Sequence, residues 1–453
     1  MTQLWFETAL LPGGWADSVR VTLADGTIKA VESGVAAQPG DERHAIGLPG
    51  LCNVHSHAFQ RGMGGLAETS GPAADDFWTW REVMYRFLDH MTPDDLEAIS
   101  AYAFAEMLEA GFTRVGEFHY VHHDPAGRPY ADLGELSVRI AAAAAQTGIG
   151  LTLLPVLYAH SDFGGAPPKP GQRRFINDID GFARLHAAGA EAIKNLPGAK
   201  IGVAPHSLRA VTPEELNATI ALAPKGPIHI HAAEQTKEVD ACVAWSGQRS
   251  VEWLLNHAPV DQRWCLIHAT HLTADETTRL AATGAVAGLC PITEANLGDG
   301  VFPTAAFLEA KGRFGVGTDS NILVDAAGEL RALEYAQRLV HRQRNVLAGQ
   351  PHASTGGRLY RDALSGGAQA LGVESQGIAA GAPTDLISLD GQNPAFIGRK
   401  GDALLDGWIF AAGAAAVDSV WRNGEKLVEH GRHRQGETIR AAYRKTIARL
   451  LAL

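Results

Sequence analysis

The chain has 453 residues, of which 46% are hydrophobic, so it can bury a large core. Its 39 basic and 50 acidic side chains leave a net charge of −11, which argues against nucleic acid or an anionic membrane as a partner. We expect no membrane span and no secretory signal, because no apolar run approaches roughly 20 residues and no basic segment precedes an apolar one at the N-terminus.

The cysteines are few and widely separated. With no CxxC pair, they predict neither a thiolate zinc site nor a redox pair, and they favour a reducing cytoplasm. They are Cys52, Cys242, Cys265 and Cys290.

Both ends of the chain have the sequence pattern that is typical of β hairpins. Residues 1–46 alternate apolar and polar side chains, with Asp-Gly and Ser-Gly turns between the runs. Residues 378–453 repeat this pattern, with Asn-Gly at 423–424 as a hairpin turn, and end in a helix. We therefore predict a small β-sandwich domain assembled from the two ends of the chain.

Residues 47–377 have a different sequence pattern, in which short apolar runs alternate with longer amphipathic segments. Eight consecutive strand–helix units predict a closed parallel (β/α)₈ TIM barrel. An open doubly wound sheet is the alternative, but no GxGxxG follows the first strand. The predicted strands are the run ending at residue 57 and residues 113–120, 150–158, 200–207, 227–234, 265–272, 285–291 and 313–321.

Helix signals separate these strands. Thr92-Pro93 and Thr212-Pro213 each pair an N-cap residue with a first-turn proline, and Thr273 is a third N-cap. Glycines at the ends of the segments predict where helices stop. They are Gly111, Gly148 and Gly284.

The first barrel strand ends in His55-Ser56-His57. Side chains two residues apart share one face of a strand, and at the C-terminal end of a barrel strand that face points into the mouth. Imidazoles in this geometry are good ligands for a first-row metal. Taken alone, the pair is also compatible with two ordinary polar residues at a strand end.

Further ligand and acid–base groups lie at other predicted strand ends. Three imidazoles and one carboxylate from strands one, five and eight can surround one metal and leave a coordination position open. The groups are His229, His231 and Glu234 on strand five, His268 and His271 on strand six, and Asp319 after strand eight.

Strand periodicity does not choose between His229 and His231, because both point to the same side. His231 is nearer the strand tip and is the preferred ligand, which leaves His229 as a packed or hydrogen-bonded residue one layer down. Asp319 is alternatively a turn cap, and His268 is alternatively a packing residue.

Four segments resemble the metal-binding and catalytic motifs of the amidohydrolase superfamily, in particular its mononuclear deaminase branch. They are PGLCNVHSHA, HIHAAE, LIHATHL and GVGTDSN. The resemblance covers nearly the whole chain, including the split β domain. The fourth strand ends in APHS without a carbamylated-lysine position, which favours one metal over two. HSHAFQRGMGGLAE, DDFWTWREVMY and GEFHYVHH resemble the formimidoylglutamate deiminase subgroup.

This resemblance implies zinc-dependent hydrolysis of N-formimino-L-glutamate to N-formyl-L-glutamate and ammonia during histidine degradation. It implies one zinc ion per chain, although the same ligands also accept iron or manganese. Glu234 corresponds to the proton shuttle, and His268 and Asp319 to further catalytic residues. The implied zinc ligands are His55, His57, His231 and Asp319, and the implied substrate-binding residues are Gln60, Arg81, Tyr120, His206 and Arg209.

The chemistry of a dicarboxylate substrate agrees with two of these positions. Arginine forms paired hydrogen bonds to carboxylates, and Arg81 and Arg209 both follow barrel strands. Each is alternatively a surface arginine. Trp78 and Trp80 either pack as a lid or contribute to a subunit contact.

Two other functions remain open at this stage. A deaminase or chlorohydrolase of the same branch acting on a purine, pterin or triazine would need stacking aromatics and few fixed charges. A non-catalytic amidohydrolase-like assembly protein would be expected to lose metal ligands. The expected partner is a small dicarboxylate rather than nucleic acid or membrane, and a homodimer is the expected assembly.

Overall fold

The computed structural model describes residues 1–71, 75–374 and 377–452. Its strands, in chain order, are β1 (Thr2–Leu11), β2 (Gly14–Ala24), β3 (Thr27–Glu32), β4 (Glu42–Pro49), β5 (Leu51–Ser56), β6 (Phe112–His119), β7 (Gly150–Leu157), β8 (Lys200–Ile201), β9 (Ala204–Pro205), β10 (Ile228–Ala232), β11 (Trp264–His268), β12 (Val286–Leu289), β13 (Arg313–Val316), β14 (Asp385–Leu389), β15 (Val417–Arg422), β16 (Glu425–Glu429) and β17 (Arg432–His433).

Helices follow the barrel strands and complete the chain. They are α1 (Phe77–Leu88), α2 (Pro93–Glu109), α3 (Glu135–Thr147), α4 (Ile179–Ile193), α5 (Pro213–Leu222), α6 (Thr236–Ser246), α7 (Ser250–His257), α8 (Ala274–Thr283), α9 (Pro291–Leu297), α10 (Thr304–Glu309), α11 (Ala326–His341), α12 (Thr355–Ala370), α13 (Asp402–Gly407) and α14 (Gly436–Leu450). None of the helices in the described ranges is long and apolar enough to cross a membrane.

Strands β5 to β13 form the predicted parallel barrel. Neighbouring strands pair in parallel, and β13 returns to pair with β5. The fourth position holds two short strands, β8 and β9, which both pair with β7, where the sequence predicted one strand over residues 200–207. Single parallel bridges, Val203 to Ile228 and Ser207 to His231, close the barrel against β10. The (β/α)₈ prediction is confirmed.

The two chain ends form one sheet in the order β17-β16-β15-β14-β4-β1-β2-β3. A bridge between Thr27 and Pro383 brings the start of β3 to the segment before β14, so the sheet folds over its own core. Phe6 and Trp421, from opposite ends of the chain, pack edge to face inside it at 6.4 Å between ring centroids. The small β domain is therefore confirmed, while its boundaries at residues 46 and 378 stay predictions.

The helix signals in the sequence act as predicted. Thr92 caps α2 by accepting a hydrogen bond from the Asp95 backbone N–H, and Thr212 and Thr273 cap α5 and α8 in the same way. Gly148 ends α3 in the left-handed conformation, where a side chain is disfavoured. These caps set where each helix begins and ends around the barrel.

The last helix belongs with the barrel in space. The Tyr443 ring of α14 stacks on Tyr102 of α2, with centroids 4.1 Å apart. Arg440 pairs with Glu109 at 3.3 Å in the same interface. The C-terminal helix α14 therefore packs against α2, which lies between the first and second barrel strands.

Candidate active site

Four side chains converge at the C-terminal mouth of the barrel. His55 and His57 come from the end of β5, His231 from β10, and Asp319 from the segment after β13. The Nε2 atoms of His55 and His57 each lie 3.3 Å from Asp319 Oδ1, and His231 Nε2 lies 3.2 Å from His55 Nε2. The structure therefore brings together all four side chains that the sequence predicts as metal ligands.

Backbone carbonyls orient two of the imidazoles. His57 Nδ1–H donates to the Phe118 carbonyl at 3.0 Å, and His231 Nδ1–H donates to the His206 carbonyl at 3.1 Å. The Nε2 lone pair of each ring is left facing the centre of the group. Burial lowers the pKa of His55, His57 and His231, so the rings stay neutral and available as ligands. Three imidazoles and a carboxylate fit a divalent transition metal.

His229 lies outside this group. It is fully buried, and its Nε2–H donates to the Ala370 carbonyl at 2.7 Å, at the C-terminal end of α12. The structure thus places His231 at the mouth and His229 one layer down, in the arrangement preferred from the sequence.

A hydrogen-bond network that the sequence did not predict holds Asp319 against β5. The Asp319 backbone N–H donates to the His55 carbonyl at 2.9 Å. Asn321 Nδ2 donates to Ser56 Oγ at 3.1 Å and to the His57 carbonyl at 3.2 Å. Asp319 and Asn321 both have positive φ, of 43° and 54°, a strained conformation that this network maintains.

Glu234 and His268 come from the ends of strands five and six. They face the metal group, which is the set of His55, His57, His231 and Asp319. His268 Nε2 lies 3.9 Å from both Glu234 Oε1 and Asp319 Oδ2. Burial raises the pKa of Glu234 to about 7, which suits a group that accepts and returns a proton near neutral pH. Burial opposes the imidazolium form of His268, but Glu234, Glu294 and Asp319 outweigh it and raise its pKa to about 10.

Glu294 is a site residue that the sequence analysis missed. It lies on α9, immediately after the seventh barrel strand, and its Oε1 is 3.2 Å from His268 Nδ1. With Cys290 these two side chains form a second close group, in which burial raises the pKa of the Cys290 thiol and favours its protonated form. The position of an acidic residue just past strand seven was the only available signal.

A cavity extends from the metal group to α1. Helix α1 forms one wall, so the tryptophan-rich segment covers the mouth of the barrel, with Trp80 lining the cavity. All five substrate-binding residues predicted by the resemblance line it. They are Gln60, Arg81, Tyr120, His206 and Arg209.

Two arginines, Arg81 and Arg209, line the cavity. The guanidinium carbons of Arg81 and Arg209 are 4.4 and 5.4 Å from the centre of the Trp78 ring, which each overlies. Their Nε atoms are buried without a hydrogen-bond partner among the described residues. Arg209 is only 5% exposed, so it carries a desolvated charge that favours an anionic ligand.

Neutral polar groups also line the cavity. Gln60 Nε2 donates to the Tyr120 hydroxyl at 2.8 Å, which leaves the buried Gln60 Oε1 without a partner in the described part of the chain. The His206 ring packs against Tyr158 at an angle of 54°, with ring centroids 4.4 Å apart. Because its carbonyl also orients His231, His206 links the cavity wall to the metal group.

Comparison with known proteins agrees with this site. The amidohydrolase family model matches residues 46–427, and the model described as "Formimidoylglutamate deiminase HutF, N-terminal domain" matches residues 1–45. The formimidoylglutamate deiminase of Pseudomonas aeruginosa is 48% identical over 453 residues and is covered over 100% of both chains.

Solved structures show the same fold. An amidohydrolase from Brucella melitensis is 54% identical, with a TM-score of 0.97 and full coverage of both chains. An adenosine deaminase from Xanthomonas campestris with bound zinc is 22% identical, with a TM-score of 0.83 over 100% of this chain and 99% of its own. From these matches and its full-length relative, the chain belongs to the amidohydrolase family and, within it, to the formimidoylglutamate deiminases.

Proposed function

We propose that this chain hydrolyses N-formimino-L-glutamate to N-formyl-L-glutamate and ammonia, a step of histidine degradation. The observation that carries the proposal is that one cavity is lined by two chemically different sets of side chains. The first set is the metal-binding group with Glu234, and the second is Arg81 and Arg209, whose Nε atoms are buried without a hydrogen-bond partner among the described residues. A formimino group joined to a dicarboxylate matches both sets.

We infer that one zinc ion is held by the four convergent side chains, His55, His57, His231 and Asp319. When bound, zinc supplies Lewis-acid activation of a water molecule near neutral pH. The neutral imidazoles and their backbone hydrogen bonds support this ligand set, as does the zinc in the adenosine deaminase of the same fold. Iron or manganese would also suit the donors.

The chain's acid–base groups carry the protons of the reaction. Hydrolysis joins the oxygen of water to the formimino carbon and breaks the bond from that carbon to the terminal nitrogen. Glu234 takes one proton from the water as its oxygen bonds to the carbon and delivers it to this nitrogen. It then transfers the remaining proton from the new hydroxyl group to the same nitrogen, so that ammonia leaves as the carbonyl forms. His268 and Asp319 hydrogen-bond the attacking water, and His268 Nε2 lies 3.9 Å from both Glu234 Oε1 and Asp319 Oδ2.

The two arginines select the glutamate part of the substrate. Arg81 and Arg209 each offer a planar group of donors to a carboxylate. Gln60, Tyr120 and His206 line the same cavity and contact the rest of the substrate. A purine or triazine would leave both arginines without a carboxylate partner.

Ammonia release from a panel of formimino amino acids, guanidino compounds and aminopurines tests this proposal. We expect the highest kcat/KM for N-formimino-L-glutamate. Faster deamination of an aminopurine or of melamine would overturn the assignment and favour the purine or triazine branch.

We also propose a cytoplasmic location and a homodimeric assembly. All four cysteines are buried and unpaired in the described part of the chain, which suits a reducing compartment. Twofold symmetric dimers are the commonest assembly of soluble enzymes. Light scattering on the purified protein would measure the assembly directly, and a monomer mass would contradict this proposal.

A further inference from the structure

We infer that Glu294 is a positioning residue, which holds the Nδ1 proton of His268 and thereby keeps the Nε2 atom of this ring facing the reacting groups. The inference rests on the proposed function, in which His268 steadies the attacking water. Glu294 does not line the substrate cavity, so its action on the reaction passes through His268.

The contact between the two side chains is direct and buried. Glu294 Oε1 lies 3.2 Å from His268 Nδ1, and the two residues are 5% and 1% exposed. The same Oε1 atom accepts a hydrogen bond from the Cys290 N–H, so it is an acceptor and Nδ1 is the donor in this pair. The Nε2 atom then projects to the opposite side, where Glu234 and Asp319 lie.

The carboxylate of Glu294 is itself fixed by backbone groups. Its Oε1 accepts a hydrogen bond from the Cys290 N–H at 2.8 Å, at the end of the seventh barrel strand. The Glu294 N–H in turn donates to the Cys290 carbonyl at 2.8 Å. Glu294 is therefore held at both its side chain and its backbone. Its carboxylate is fixed relative to the end of the seventh barrel strand, and it holds the His268 ring in a fixed position relative to that strand.

The backbone of His268 increases the need for such support. His268 and Ala269 have φ values of 66° and 48°, a left-handed conformation that side chains rarely adopt. Glu234 and Asp319 lie on the Nε2 side of the ring, so the Glu294 contact at Nδ1 selects which nitrogen points to the substrate.

The test compares three variants of the metal-loaded enzyme. Glu294→Ala removes the acceptor, and Glu294→Gln keeps an amide oxygen at the same place. Glu329→Gln is the matched control, because Glu329 is another buried glutamate that binds the α9 segment, through the Ile292 N–H at 2.9 Å. Metal content, kcat, KM and the side-chain ¹⁵N–¹H spectrum of ¹⁵N-histidine-labelled protein are measured for each.

We expect Glu294→Ala to keep its metal and its KM and to lose roughly 10–100-fold in kcat, the usual effect of removing a partner that orients a functional histidine. Glu294→Gln should restore most of this loss, and Glu329→Gln should behave as wild type. The downfield Nδ1 proton signal, assigned by its loss in His268→Gln, should disappear in Glu294→Ala and persist in Glu294→Gln.

An unchanged Nδ1 signal or an unchanged kcat in Glu294→Ala would overturn the inference. So would a Glu294→Gln variant as slow as Glu294→Ala, or a Glu329→Gln control as slow as either. If the wild-type enzyme released no ammonia from N-formimino-L-glutamate, the proposed function would fail. The spectrum, which needs no substrate, would still decide whether Glu294 holds His268.

Discussion

The Nε2 atoms of His55 and His231 lie 3.2 Å apart, although 176 residues separate the two histidines in the chain. Backbone carbonyls hold the opposite nitrogen of His231 and of its neighbour His57, so unprotonated nitrogens face each other in a buried space. Such an arrangement of lone pairs favours a cation between them. The next prediction tests which histidines contribute to it.

His231→Ala should lose most of the bound metal and the activity, because it removes a ligand from the convergent group. His229→Ala should keep the metal, since that side chain donates to the Ala370 carbonyl instead. The His229 variant should still lose about 1–3 kcal/mol of stability, because the carbonyl is left buried and unpaired. Elemental analysis and thermal unfolding would check both, and full metal occupancy in the His231 variant would contradict the ligand assignment.

Glu234→Gln should keep the fold and the metal but turn over substrate at least about 10²–10⁴-fold more slowly, because the amide cannot carry a proton from water to the leaving nitrogen. Metal analysis and ammonia release on the same preparation separate binding from chemistry. Turnover close to that of the wild type would remove Glu234 from the mechanism.

Arg209→Met and Arg81→Met should each reduce kcat/KM on N-formimino-L-glutamate by roughly 10- to 150-fold, corresponding to the 1.5–3 kcal/mol of a charged hydrogen bond. The loss should be smaller on formiminoglycine, which lacks the side-chain carboxylate, for whichever arginine binds that group. Comparing both substrates on both variants is the measurement. An equal loss on every substrate would indicate a damaged site rather than a lost carboxylate contact.

Thr92→Ala should lower the free energy of unfolding by about 1 kcal/mol, because it removes the side-chain acceptor that caps α2. Thr278→Ala, on the exposed face of α8, is the matched control and should change it by less than about 0.5 kcal/mol. Denaturant unfolding measures both, with kcat expected to stay at the wild-type value. Equal destabilisation by the two variants would contradict the role of the cap.

Burial raises the pKa of Glu117 from 4.5 to about 8, so the folded state binds a proton that the unfolded state releases. The stability from this group is fully present below pH 4.5 and is lost as the pH rises toward 8. In the metal-free protein, the free energy of unfolding should therefore fall over this range. Glu117→Gln should flatten that slope, and equal slopes in denaturant titrations of both proteins would exclude Glu117 as its source.

Much of this architecture follows from local patterns. Alternating apolar runs and amphipathic segments indicated the barrel, and caps such as Thr92 and Gly148 indicated helix ends. His55-Ser56-His57 at a strand end indicated a metal ligand pair, because two residues on one strand share a face wherever the strand is placed. These features depend on interactions between residues that are close in the sequence, so they can be predicted from the sequence alone.

Two features could not be predicted without the tertiary structure. They are the depth at which each side chain lies in the barrel and the contacts between segments that are distant in the chain. His229 and His231 are equivalent by strand periodicity, and only the stagger of β10 in the closed barrel places one at the mouth and the other beside Ala370. The only local signal for Glu294 was its position just past strand seven, because its role comes from its contact with His268 on the neighbouring strand. The sequence by itself determined which side chains could do the chemistry, whereas the register of the barrel strands decided which of them meet, since that register is set by packing over the whole ring of strands.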